Sequence, residues 1–310
     1  MSNSTEPKNL NVRNIVPLHT YKVVGRLCGV VKRFGKIEAL RGIDLDIHTG
    51  EMVALLGPNG AGKTTTLSIL LGLRRADKGE AYLFGQDPRL PIVRSQIGVM
   101  HKSIGFPPTL TVNEVLDLVS AHYIAPTPKV TLLQQFHLID LARRQIGGLS
   151  GGEKRRLAVA LAFVGKPSVV FLDEPTTGLD VASRRSLWQS LKEYVSQGGT
   201  VLLTTHYLDE AEALATRVVV INQGRIIADG NVAAIKARVG LKRLRFKANV
   251  LPPLSGLVRT ECEDGVYTLY TADADLNVRE LIGQGLGFEG LEVNPLSLEE
   301  AFLILTGVES

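Results

Sequence analysis

The chain reads as an α/β protein, a largely parallel sheet covered by helices, with a smaller α+β appendage towards its C-terminal end. Three observations predict this. Short continuous apolar runs at Met52 to Leu56, Ser168 to Leu172 and Thr200 to Thr204 have the length of strands buried on both faces. Segments of helical spacing alternate with them, at Thr65 to Leu73, Gly151 to Gly165 and Ser183 to Ser196, which a parallel sheet accommodates most economically. Beyond about residue 240 the pattern changes to alternation, with Leu244, Phe246, Ala248 and Val250 on one face and a second strand expected over 265–271.

Residues 1 to about 22, opening Ser2, Asn3, Ser4, Thr5, Glu6, Pro7, carry no sustained apolar period and are expected to form a flexible leader. From Val23 the texture changes, and Ile43, Leu45 and Ile47 alternate with polar residues as a half-buried strand should. Residues 111–145 read as mostly helical, interrupted at Pro126 and Pro128. A strand and turn follow over 218–228, bending at Asn222, Gln223 and Gly224, and Val232 to Val239 closes as a helix. In the appendage, Leu276 to Ile282 predicts a helix, and the final helix starts on a capping box, Ser297 with Glu300, and stops near Gly307. The expected division is a leader at 1–22, a main domain at 23–238 and an α+β accessory domain at 240–310.

At 310 residues, 45% hydrophobic and 21% charged, the chain has the composition of a globular protein with room for one large domain and a small one. The longest purely apolar run, Leu157 to Val164, is far short of the ~18 residues that suggest a membrane-spanning helix. Cys28 and Cys262 are too few and too distant for a disulfide framework, which fits a reducing compartment. A net charge of +4 is too mild for a strong nucleic-acid footprint. The basic cluster Lys242, Arg243, Arg245 and Lys247 reads as a solvated face or a weak attraction to anionic lipid head groups.

The chemistry is concentrated between residues 57 and 206. Gly57, Pro58, Asn59, Gly60, Ala61, Gly62, Lys63 and Thr64 match GxxxxGK[ST], follow a predicted buried strand and open a helix continuing through Thr65. The glycines let backbone amides face phosphates, Lys63 can reach the β- and γ-phosphates, and Thr64 can ligate magnesium. Asp173 and Glu174 end another buried strand, where charge needs compensation; Asp173 is the candidate metal ligand and Glu174 the candidate general base. Ser150 stands before a helix whose first amides otherwise lack partners.

Taken together, the Walker A run at 57–64, Leu149-Ser150-Gly151-Gly152-Glu153, the Walker B run at 169–174, Gly178-Leu179-Asp180 and His206 resemble the nucleotide-binding subunit of an ABC transporter over about residues 23–235. The resemblance implies a P-loop NTPase ABC cassette with a mixed sheet and a helical subdomain at about 103–160, using ATP and Mg2+. It implies that two copies meet head to tail, with ATP on Walker A of one closed over by Ser150, Gly151 and Gly152 of the other. It assigns Phe34 to adenine stacking, Asp180 to the link between the two sites and His206 to the γ-phosphate. Lys102 departs from the pattern by standing where a glutamine normally touches magnesium and the lytic water, since an ammonium cannot ligate a cation.

The stretch Ser297-Leu-Glu-Glu-Ala-Phe302 is similar to the tail of subunits that drive bacterial export of antibiotics, lipids or polysaccharides. This implies an exporter ATPase at the cytoplasmic face of the membrane, held there by a separately encoded permease. Two other classes compete. A soluble cassette ATPase acting on ribosomes or DNA usually carries tandem cassettes or coiled-coil insertions, which are not found here; a dimerisation module with weak hydrolysis would suit Lys102 but not Glu174.

Overall fold

The computed structural model describes residues 22–103, 105–285 and 287–307; the expected leader lies outside them apart from Lys22. Strands β1 (Val23–Phe34) and β2 (Ile37–His48) form an antiparallel hairpin, and β3 (Met52–Leu56) runs into α1 (Lys63–Leu70). There follow β4 (Lys78–Leu83), the short α2 (Pro91–Arg94), β5 (Ile97–Met100), α3 (Val112–Ser120), α4 (Lys129–Gln135) and α5 (Gly151–Ala162). Next come β6 (Val169–Asp173), α6 (Val181–Ser196), β7 (Thr200–Thr204), α7 (Leu208–Leu214), β8 (Arg217–Asn222), β9 (Arg225–Gly230) and α8 (Val232–Val239). The C-terminal part holds β10 (Lys242–Lys247), β11 (Leu257–Glu263), β12 (Val266–Thr271), α9 (Ala274–Gly283), β13 (Glu289–Pro295) and α10 (Leu298–Thr306).

The central sheet has the order β5-β6-β7-β3-β8-β9, parallel except for β9, which folds back on β8. Strands β3, β6 and β7 are buried at every residue, as their continuous apolar runs predict. Because successive side chains point to opposite faces, each strand feeds two cores. Val53, Leu55, Phe171, Leu202 and Val219 pack towards α1 and the three-stranded antiparallel sheet β2-β1-β4. Ala54, Leu56, Val170, Leu172 and Leu203 face the core shared with α3, α4, α5 and α6.

The helix expected from Thr65 begins two residues earlier, because Gly62 at φ 112 turns the chain into it, and it stops at Leu70 shortly before Gly72 at φ 66. The interrupted helical stretch is α3, capped by a Thr111–Glu114 box, then α4 after Pro128. In the C-terminal part, four antiparallel strands in the order β11-β12-β10-β13 share a small core of Leu244, Phe246, Leu269 and Leu281. Of the basic cluster on β10, Arg243 pairs with Glu300 at 3.0 Å, while Lys242, Arg245 and Lys247 are exposed. The final helix leaves this sheet: Leu298, Phe302 and Leu305 of α10 join the core under the central sheet, and Asn222 Nδ2 donates to the Thr306 carbonyl at 3.0 Å.

Candidate active site

The loop between β3 and α1 admits only glycine at two of its positions. A Cβ on Gly57 would lie 2.3 Å from the Ile221 carbonyl oxygen, and one on Gly62 would lie 2.7 Å from Leu40 Cδ2 at a φ of 112°. Within the loop the Ala61 amide donates to the Pro58 carbonyl and its own carbonyl accepts from Gly224, which ties the loop to the β8–β9 turn. Lys63 curls back so that Nζ donates to the carbonyls of Gly57 at 2.6 Å and Pro58 at 3.1 Å. Burial pushes its pKa down, while the Glu174 charge acts the other way.

Strand register delivers the facing residues. Parallel strands β5 and β6 set Met100 opposite Leu172, so two residues further on Lys102 meets Glu174. Strands β6 and β7 set Asp173 opposite Thr204. The Thr204 hydroxyl donates to Asp173 Oδ1 at 2.5 Å and accepts from the Glu174 amide at 3.1 Å, so one side chain orients both acidic residues.

Glu174 has φ 53, a left-handed conformation uncommon for a residue with a side chain, which swings it off the strand end. Its Oε1 accepts from Lys102 Nζ at 2.7 Å, and its Oε2 accepts from Thr177 Oγ1 at 3.3 Å and lies 3.5 Å from His206 Nδ1. Burial pushes the carboxyl up, but the Lys102 hydrogen bond and charge, with His206 and Thr177, outweigh it and hold Glu174 below the usual carboxylate range. The group is therefore ionised at neutral pH, as a general base must be.

One cavity is lined by Gly57, Pro58, Asn59, Lys102, Glu174 and His206. Phe302 of α10 reaches its wall, a contribution the sequence did not signal. Thr64 and Asp173 both line a second, smaller cavity. Magnesium is typically held by one or two protein oxygens together with phosphates and water, so this hydroxyl–carboxylate pair fits it. Among the described residues no group of three or more His, Cys, Asp or Glu is gathered, so an ion here would depend on the phosphates.

The remaining candidates lie elsewhere. Phe34, at the end of β1, is exposed, with the Arg74 guanidinium 5.3 Å and Lys32 Nζ 5.7 Å from its ring centre, and does not line the main cavity. Ser150 is exposed at the start of α5, where its hydroxyl accepts from the Glu153 amide at 3.2 Å and Glu153 accepts from the Ser150 amide at 2.6 Å. Gly151 follows it in the open, and a Cβ on Gly152 would come 3.3 Å from the Gly178 carbonyl oxygen, so the helix start is seated on the turn before Asp180. Asp180 itself caps α6, accepting from the Ser183 amide at 2.7 Å and hydroxyl at 2.9 Å.

Four contributors were not picked out from the sequence: Thr204, Thr177, Phe302 and Arg155. Arg155 on α5 donates from Nη1 to the Lys102 carbonyl at 2.7 Å and from Nη2 to the Glu174 carbonyl at 2.8 Å. A signal existed for it: with Ala158, Val159 and Ala162 it forms an i, i+3, i+4, i+7 series, which places it on the buried face of α5.

Comparison with known proteins places the chain in a family. A profile of the ABC transporter family matches residues 40–177. Nod factor export ATP-binding protein I of Burkholderia lata is 38% identical over 294 residues, covering 90% of this chain and 96% of the relative. Daunorubicin resistance ATP-binding protein DrrA2 of Streptomyces coeruleorubidus is 39% identical over 298 residues, covering 89% of this chain and 92% of the relative. Among solved structures, an ATP binding subunit of an ABC transporter superposes with a TM-score of 0.64 at 26% identity, over 70% of this chain and 93% of that one. The cassette MJ0796, solved as a dimer in a post-hydrolysis state with ADP and Pi, gives 0.61 at 27% identity, over 67% and 98%.

Proposed function

The chain belongs to the ABC transporter family, and from that premise we propose that it is the ATP-hydrolysing subunit of an exporter, working with a separate membrane permease. The observation that carries the reading is Glu174: a buried, ionised carboxylate that shares one cavity with the phosphate loop and His206. Relatives matched over nearly their whole length are named for Nod factor export and daunorubicin resistance, which supports export as the direction.

The amides of residues 57–64 and the start of α1 bind the phosphates of ATP, and Lys63 exchanges its two loop carbonyls for phosphate oxygens. Glu174 takes the proton of the attacking water as the bond from the γ-phosphorus to the β–γ bridging oxygen breaks, giving ADP and phosphate, with His206 at the γ-phosphate. Thr64 and Asp173 would hold a magnesium ion, which would supply charge to neutralise the phosphates. Phe34 stacks on adenine. The exposed start of α5 at Ser150, Gly151 and Gly152 closes over the nucleotide of a second copy, with Asp180 at the join. We read 23–238 as the nucleotide-binding domain, with a helical subdomain at about 103–160, and 240–310 as an accessory part whose last helix rests on it. Through the permease the subunit works at the cytoplasmic face of the membrane.

The Lys102–Glu174 pair favours a second reading, ATP-driven dimerisation with slow turnover, because an ammonium at 2.7 Å competes with water for the base. Steady-state ATPase assays with magnesium separate the two. Export coupling expects turnover well above that of Glu174→Gln, and association with a multi-span membrane protein on purification from native membranes. Turnover at the Glu174→Gln background, rising only in Lys102→Gln, supports the slow reading. Recovery only with ribosomes or DNA overturns the exporter assignment.

A further inference from the structure

We propose that Arg155 is a positioning residue for hydrolysis, which fixes the main chain of both Lys102 and Glu174 and ties them to the helix that carries Ser150. This rests on the ATPase reading above and adds to it a residue outside the nucleotide-contacting motifs.

The argument begins with cost. A guanidinium is expensive to bury, and Arg155 is only 8% exposed, with its Nε without a hydrogen-bond partner among the described residues. Apolar neighbours at Ala158, Val159 and Ala162 show that α5 could close this face with carbon alone. What the guanidinium achieves is a geometric link: two nitrogens of one rigid plane bind two carbonyls that are 72 residues apart in sequence, at 2.7 and 2.8 Å.

Both carbonyls belong to the residues that form the ion pair. Glu174 is held at φ 53, and its carbonyl is fixed by Arg155 while its amide is fixed by Thr204, so the peptides on either side of the strained residue are both gripped. The carbonyl of Lys102 is fixed by the same plane, which keeps the exposed ammonium within reach of Oε1. Arg155 also lies five residues after Ser150 on a single rigid element. A shift of the α5 start against a partner's nucleotide is thus delivered to Glu174 of the same chain, and the effect of Arg155 falls on that chain's own site.

The test uses the full-length chain. Arg155→Met is expected to lower kcat at least about tenfold, with ATP affinity, measured by a fluorescent ATP analogue, within about twofold of the unmodified protein. Arg155→Lys, able to reach one carbonyl but not both, recovers part of the rate. In co-expressed mixed dimers, one copy Arg155→Met and the other Glu174→Gln, turnover stays at background if Arg155 serves its own Glu174. Recovery of about half the unmodified rate instead means that it acts only on the partner's site, and overturns the proposal. So does a kcat for Arg155→Met within about twofold of the original, or a loss of rate that tracks ATP affinity and thermal midpoint with no rescue by lysine. If Arg155→Met does not fold, Arg155→Lys decides alone: reduced kcat at unchanged affinity supports the role, and an unchanged kcat removes it. An unmodified protein without turnover would count against the ATPase reading, not against this assignment.

Discussion

Around Glu174, Lys102, His206 and Thr177 converge on one buried carboxylate, whereas at Ser150 the helix start satisfies itself with its own Glu153 and remains exposed. The first region is assembled from four strand ends and a helix that meet only in the folded chain, and its polar groups already point at one another. The second is local, a capping box readable over four residues, with Ser150 and Gly151 exposed. The difference suggests a division of labour: the groups around Glu174 are organised within one chain, while the helix start at Ser150 is left open to something outside it.

The largest effect should follow from changing the first region. Gly62→Ala forces a side chain into φ 112 and against Leu40 and the Ala39 carbonyl, so the loop must open or α1 must shift. ATP affinity is expected to fall at least about a hundredfold, with a stability loss of about 1–3 kcal/mol, read by nucleotide titration and thermal denaturation. Near-normal ATP binding in this variant would mean that the loop is not held in one shape, and the contrast with Ser150 would weaken.

Ser150→Ala sharpens the contrast from the other side. Loss of the cap should cost about 1 kcal/mol of stability. ATP binding to the isolated chain should be unchanged, while turnover falls about tenfold because the second copy's nucleotide loses its partner. Should ATP affinity of the isolated chain fall along with turnover, the helix start at Ser150 is part of the chain's own site and the division fails.

The same contrast explains what could be read in advance. Strands β3, β6 and β7 were legible because burial on both faces makes them continuous apolar runs, and the phosphate loop because its glycines and Lys63 fall at fixed spacing. Strands β11 and β13 were not: they form the two edges of the C-terminal sheet, each with one neighbour and most residues exposed, so nothing forces a clean alternation. The helix α7, seven residues with three acids, is too short to show a period. Lys102 was marked as a departure, but its pairing with Glu174 is set by the β5–β6 register, which sequence spacing does not display. Arg155 was passed over because a charge within a basic run reads as surface, although its place in the helical period put it inside.

The smallest predicted effect concerns a second buried carboxylate behind the first region. Glu210, fully buried on α7, accepts from Trp188 Nε1 at 3.2 Å, and burial raises its pKa against the opposing pull of the nearby Thr205, Trp188 and Thr176 side chains. Because the folded value lies above the unfolded one, the stability linked to protonation is fully present below the ordinary glutamate range and is lost as pH rises through the folded value. Glu210→Gln keeps an acceptor for Trp188 and removes the titration. Its thermal midpoint should therefore gain on the unmodified protein by a few degrees between about pH 5 and pH 8, with little change in turnover. A constant offset across that range would show that Glu210 is ionised in the folded state throughout, sustained by Trp188 and the polar side chains near it, and that Glu174 is not alone among the buried carboxylates of this region in holding its charge.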